Sequence, residues 1–195
     1  MCHTLPRIGY KIPYNKTNSN KKKMISLPMI KETAEQRYTR LFEEMYEICN
    51  TEGWGDPFSY ARSREIHMAG ILGHRVADDY SGADAYDKYD LPVEYKSTIG
   101  KKLTATYNGI SVQDTWEKQV EYILNEKIGK YHHHYFARYE DGKIVEVWRL
   151  TAKQVYDKLL PNLERQFHSK KVKKDPRLGY TLSEKYIYSV GLQII

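Results

Sequence analysis

Apolar positions along the chain repeat with two different periods, and the change from one to the other marks out the elements. Over 31–50, Tyr38, Leu41, Phe42, Met45 and Cys49 recur three and four residues apart. That spacing lines one face of an α-helix, and the stripe is expected to pack into the core. A second helix is expected from Arg62 towards His74, ended by Gly73, because glycine readily takes the left-handed conformation that stops helices. A third follows Asp114 as its cap and buries Trp116, Val120, Ile123, Leu124 and Ile128. A fourth carries Val155, Leu159, Leu163 and Phe167 on one side, with Pro161 expected to break or kink it. Two stretches, 131–139 and 144–150, alternate with period two and predict strands. The turn Glu140-Asp141-Gly142-Lys143 separates them, its glycine serving backbone geometry. Between Ile99 and Gln113, Gly100, Lys101, Lys102 and Asn108-Gly109 predict a strand pair or loop. This order of elements, without an internal repeat, supports an α/β domain.

One more period-two segment carries the candidate chemistry. From Gly82 to Thr98 the chain reads as a hairpin, with Lys88 to Asp90 at its turn and Pro92 opening the second strand, a position where proline is tolerated. Alternation then points Glu94 and Lys96 to one face and Tyr95 to the other, and Asp84 can lie beside Glu94. Two hard carboxylates bind Mg²⁺ well. A neighbouring ammonium can orient or help deprotonate a water and steady charge building on a phosphate. The alternative is a solvent-facing ion pair of Glu94 with Lys96. Asp87 rivals Asp84 as first metal ligand, because sequence does not fix hairpin register. A second acid-x-lysine triplet, Asp141-Gly142-Lys143, sits in the turn just described, where its charges are expected to be solvated.

From about Glu65 to Thr98 the chain resembles the PD-(D/E)xK nuclease superfamily, and within it the type II restriction endonucleases. In that family an aspartate opens a strand, a turn follows, an E-x-K or D-x-K ends the hairpin, and another acid lies on the preceding helix. Here those positions read Asp84, Glu94, Lys96 and Glu65, with Ala83 where the name-giving proline would stand. The resemblance implies a restriction-endonuclease-like fold, a mixed central sheet flanked by helices with a catalytic β-hairpin. It implies in-line attack of a metal-activated water on a backbone phosphate, with Asp84 and Glu94 holding Mg²⁺, or Mn²⁺ in its place. The Tyr95 carbonyl is implied as a further ligand, Lys96 as the residue that positions or activates the water, and Glu65 as an extension of the acidic site towards a second metal or a water. The expected activity is cleavage of double-stranded DNA at a short specific site. A repair, recombination or homing nuclease of the same fold is the alternative, and a non-catalytic basic DNA-binding subunit is the alternative of another class.

Charge modifies this picture modestly. The 195 residues hold 31 Lys and Arg against 25 Asp and Glu, a formal charge of +6, which favours a polyanionic partner. Residues 1–28 read as a mobile basic arm around Lys16 to Lys23, and 29–195 as a single nuclease domain. Lys101 and Lys102, directly after the hairpin, and Lys170, Lys171, Lys173 and Lys174 in the densest positive run are expected to contact DNA phosphates. Arg, Asn and Gln of the 99–113 segment and of the C-terminal segment are possible base readers. Eighteen tyrosines against four phenylalanines suit the edges of a core. With only Cys2 and Cys49 there is neither a cysteine zinc cluster nor a disulfide framework, and no apolar run spans a membrane, so a soluble intracellular protein is expected. One hairpin per chain provides one catalytic centre, and cutting both strands then calls for a homodimer.

The remaining polar features carry less. His132, His133 and His134 are consecutive, and strand alternation forbids all three from converging on one ion. His67 and His74 are weak candidates for touching phosphate. Gln119 and Tyr122 are similar to a glutamine and tyrosine motif of some nucleases of the superfamily, at a spacing of three rather than four.

Overall fold

Strand alternation and helical periodicity resolve into a mixed sheet with helices on both faces. The structure, a computed structural model, describes residues 32–78, 82–169 and 177–195. The proposed arm and the lysines at 170, 171, 173 and 174 lie outside the described residues. Two short strands, β1 (Arg75–Val76) and β2 (Ala85–Tyr86), lead into β3 (Pro92–Ile99). After β4 (Ala105–Ile110) come the long strands β5 (His133–Glu140) and β6 (Lys143–Thr151), then β7 (Leu178–Leu182) and β8 (Leu192–Gln193). The main sheet has the order β1-β2-β3-β5-β6-β8, with β4 and β7 forming a separate antiparallel pair. Among the described strands only β3 and β5 run parallel, Val93 beside His133 through Ile99 beside Tyr139. The β5–β6 turn is as expected, with Asp141 (φ 48) and Gly142 (φ 75) both left-handed, the conformation a tight hairpin demands.

The described residues form five α-helices, α1 (Ala34–Glu52), α2 (Arg62–Leu72), α3 (Trp116–Tyr122), α4 (Ala152–Phe167) and α5 (Glu184–Val190). Paired strand residues share a face. Thus Val93, Tyr95, Tyr135 and Ala137 pack on Met68 and Ala69 of α2, whereas Phe136 and Leu150 pack on Val155, Leu159 and Leu163 of α4. No helix among the described residues is long and apolar enough to cross a membrane.

Several expectations need correction. The apolar stripe of α1 is not core: Tyr38, Leu41, Phe42 and Met45 are 71%, 43%, 42% and 41% exposed, and only Cys49 is buried. Helical spacing reports a face, and among the described residues this one is largely uncovered, apart from Cys49 and from Phe42 in mid-helix, which stacks on Phe58 with ring centroids 3.9 Å apart. The cap of α3 is Thr115, whose side chain accepts from the Lys118 N–H, and not Asp114. Its buried position is Gln119, while Val120 is only half-buried, and the helix passes into a π-helical turn, Ile123–Lys127. Gln119 earns its place by hydrogen bonding: its side chain accepts from the Gln113 N–H (2.9 Å) and donates to the Ser111 carbonyl (3.2 Å). Gln119→Ala leaves both backbone groups unpaired and is expected to lower stability by about 1–3 kcal/mol, read by urea denaturation.

Pro161 neither ends nor breaks α4, which runs unbroken from a Thr151–Gln154 capping box to Phe167. Proline inside a helix costs about 3 kcal/mol, and here it sits on the exposed side, as does Asp157, whose carbonyl loses its usual partner and can be hydrated. Burial of Val155, Leu159 and Leu163 on the opposite face offsets that cost. Beyond α4 the chain also supplies β7, α5 and β8, three short elements that the apolar pattern does not announce.

Candidate active site

The hairpin is set by its tip. Asp87 Oδ1 accepts from the backbone N–H groups of Tyr89 (2.9 Å) and Leu91 (3.1 Å), and Asp90 takes a left-handed φ of 61. This side-chain-to-backbone turn fixes the register Ala85 to Val93 and Tyr86 to Pro92. Asp84 therefore falls just before β2, where its N–H donates to the Val93 carbonyl (3.1 Å) and its Oδ2 accepts from the Tyr95 N–H (2.6 Å). Asp87, the rival, is occupied at the turn and belongs to the other face.

The Val93 carbonyl faces Asp84, and alternate residues of a strand direct their backbone groups to the same edge. The Tyr95 N–H is on that edge, and so is its carbonyl, past the end of β2.

Four predicted side chains converge here. Glu94 and Lys96 project from one face of β3 and form an ion pair, and Asp84 and Glu65 are close enough for their charges to act on both. Glu65 comes from the first turn of α2, which the left-handed Gly73 (φ 67) ends before β1. Its Oε2 lies 3.5 Å from Nη1 of Arg62. Arg62 is buried and anchored, Nε donating to the Trp54 carbonyl (2.8 Å) and Nη2 to that of Ala77. The side chains of Glu94, Lys96 and Glu65 keep 14%, 27% and 18% of their surface exposed, so the site is recessed yet open to solvent.

Burial and mutual repulsion set the charge state of these groups. Burial, reinforced by Glu94 and Glu65, pushes the Asp84 carboxyl up to about 8. Burial also raises Glu65, against the pull of Arg62. Burial opposes the charge on Lys96, but Glu94, Asp84 and Glu65 outweigh it and hold the ammonium above its ordinary value. Three carboxyl groups around one ammonium do not all ionise readily without further positive charge. A divalent cation would supply it, and Asp84, Glu94, the Tyr95 carbonyl and Glu65 are hard oxygen donors of the kind that Mg²⁺ or Mn²⁺ takes.

Beneath Lys96 lies a pair that sequence reading missed. Lys96 Nζ sits 5.4 Å from the centre of the Tyr107 ring, and the Tyr107 hydroxyl is 2.8 Å from His134 Nδ1. The other ring nitrogen, Nε2, is 3.1 Å from the Ile128 carbonyl. A carbonyl only accepts, so Nε2 carries the proton and the tyrosine hydroxyl donates to Nδ1. Burial pushes His134 down to about 4, so the ring is neutral. Its only signal in the sequence is parity: His134 pairs with Glu94 across β3 and β5 and so shares its face.

Other candidates fall elsewhere. His67 Nδ1 is within 3.0 Å of the Tyr139 hydroxyl and His74 Nδ1 within 2.7 Å of that of Tyr95, so both serve packing on the α2 side. Lys101 and Lys102 are exposed just beyond β3. Lys143 opens β6 at the exposed hairpin turn, away from these groups. The three histidines do not converge, as expected: His132 and His133 come together, and His134 turns to the opposite face. The reason is that β5 begins at His133, so His132 precedes the strand and is not bound by its alternation.

The architecture is thus α/β, a mixed central sheet flanked by helices, with a half-buried site of three carboxyl groups around a lysine. No family model matches the chain, and comparison with curated proteins finds no match.

Proposed function

We propose that the chain is a Mg²⁺-dependent endonuclease of restriction-endonuclease-like fold that cuts double-stranded DNA at a short specific site, as type II restriction enzymes do. The observation that carries this reading is the convergence of Asp84, Glu94, Glu65 and Lys96, with Asp84 pushed up to about 8 by burial and its fellow carboxylates. Bound Mg²⁺ would supply Lewis acidity towards the phosphate and make an attacking hydroxide accessible at neutral pH. Asp84, Glu94 and the Tyr95 carbonyl would hold it, with Glu65 behind them. Lys96 stays protonated because its acidic neighbours favour the ammonium. It therefore donates hydrogen bonds, orienting the water and steadying negative charge on the phosphate, and does not take the proton itself. The Tyr95 N–H keeps Asp84 aimed, and the neutral Tyr107–His134 pair forms an uncharged floor under Lys96. Digestion of unmodified DNA of known sequence with Mg²⁺, followed by sequencing of the ends, tests the reading. Cleavage confined to branched or damaged DNA would favour a repair or recombination nuclease. Binding without cleavage under any divalent metal would favour the DNA-binding subunit.

Lys101 and Lys102, and Lys170, Lys171, Lys173 and Lys174, are proposed to meet phosphates. Each phosphate contact contributes about 0.9 to the slope of log affinity against log salt. Replacing Lys101 and Lys102 with alanine is expected to weaken binding to all sequences alike and to reduce that slope by about 1–2. An unchanged slope in a salt titration returns the pair to a solvated surface role.

The two strands of a duplex call for two centres, and we assign the second to another copy of the chain docked through α1. That helix has 19 residues, about 28 Å of length, and a continuous apolar stripe of the kind that marks association surfaces. Phe42→Glu and Met45→Glu are expected to convert a dimer to monomers in light scattering and to leave nicked intermediates. A wild-type monomer that cuts both strands would overturn the assignment.

A further inference from the structure

The geometry points to a second metal site, formed by Asp87, His132 and His133 and suited to a borderline transition ion such as Zn²⁺, on the face of the hairpin opposite Asp84 and Glu94. One ligand atom from each of the three lies within 4.8 Å of the others. Ligands at about 2.0–2.1 Å in a tetrahedral site stand roughly 3.4 Å apart, so small side-chain rotations close the set around an ion. Imidazole nitrogen and carboxylate oxygen are zinc donors, and three protein ligands leave one position for water.

Topology makes this convergence possible. Ala85 pairs with Val93, which pairs with His133. Strand alternation therefore puts Asp87, two residues beyond Ala85, on the same face as His133, and puts Asp84 and Glu94 on the other. His132 is held at the mouth of the β3–β5 pair by its N–H, which donates to the Pro92 carbonyl (2.7 Å). From there its ring meets that of His133 edge-on, centroids 4.1 Å apart at 88°.

A separate observation indicates an absent partner. His133 Nδ1 is shielded from solvent and is the one buried side-chain polar atom among the described residues that has no hydrogen-bond partner. Buried imidazole nitrogens are ordinarily satisfied, and a bound ion would satisfy this one. Asp87 is already oriented by its Oδ1 bonds to the Tyr89 and Leu91 N–H groups, as carboxylate ligands usually are, which leaves Oδ2 for the metal. Nearby His74 is committed to the Tyr95 hydroxyl and is not counted as a ligand. The ion would tie the hairpin tip to the start of β5, bracing from behind the strand that carries Glu94 and Lys96. This inference stands whether or not the chain is a nuclease.

The test uses the full chain, stripped with chelator and titrated with Zn²⁺ and Co²⁺. The expected result is one equivalent that remains bound when the Asp84–Glu94 site is disabled by Asp84→Asn, the intense visible bands of four- or five-coordinate Co²⁺, and a raised melting temperature in Zn²⁺. His132→Ala removes an exposed ring without a core role, and Asp87→Asn retains the Oδ1 acceptor that holds the turn. Each is expected to weaken Zn²⁺ binding by about tenfold or more and to bleach the Co²⁺ bands, while Asp84→Asn leaves both unchanged. Undiminished binding in both His132→Ala and Asp87→Asn would overturn the site, and so would loss of the bands in Asp84→Asn alone.

Discussion

Asp84→Asn, Glu94→Ala and Lys96→Ala are each expected to slow single-turnover cleavage of duplex DNA by at least about 10²–10³-fold, the cost of removing a preorganised charge from a reacting centre. Lys143→Ala should cut at the parent rate, because its triplet lies in an exposed turn. Glu65→Ala should be milder, since Arg62 shares the charge of Glu65. Near-parent cleavage by Lys96→Ala would sink the assignment. The same Asp84→Asn protein should be more stable than the parent at alkaline pH. Asp84 titrates at about 8 when folded against an ordinary 3.8, so between those values the folded state binds more protons than the unfolded one. Stability then falls as pH rises through that window. The amide does not titrate and removes the dependence, so melting temperatures of the two proteins should diverge from pH 5 to pH 9. A parallel course would mean that Asp84 ionises without cost.

Cleavage is expected to disappear on chelation and to return with Mg²⁺ or Mn²⁺, and Ca²⁺ should support binding with little turnover, since its looser coordination does not enforce the same geometry. The proton on Asp84 adds a quantitative signature. Below pH 8 the metal must displace it, so affinity should rise by up to about tenfold per pH unit and level off above that value. Calorimetry at pH 7 in two buffers of different ionisation enthalpy should report release of close to one proton. Full activity in excess chelator, or binding without proton release, would contradict the metal reading.

The hairpin was legible because it rests on local rules: period two orients Glu94 and Lys96, and Pro92 is acceptable only at a strand start. The register that chooses Asp84 over Asp87 was not, since it depends on how the Asp87 side chain folds the tip. The α1 stripe shows the limit of periodicity, which finds an apolar face but not its cover. Gln119 and Val120 exchanged their expected roles because hydrogen bonds to Gln113 and Ser111 make a buried amide acceptable. The histidines show where alternation stops: it governs His133 against His134 inside β5, and says nothing of His132 outside it. Tyr107 and His134 approach Lys96 from β4 and β5, a meeting that no local pattern in either segment announces.

The main sheet ends on both sides in a strand of two residues, β1 at one edge and β8 at the other. Stubs of that length offer little edge of their own to a strand from another molecule. They also leave their long neighbours partly uncovered: β2 pairs with β3 only at Pro92 and Val93, and β8 with β6 only at Trp148 and Arg149. On β3 the open edge begins at Tyr95, where the Asp84 side chain already takes the N–H, so a strand added there would have to displace that carboxylate.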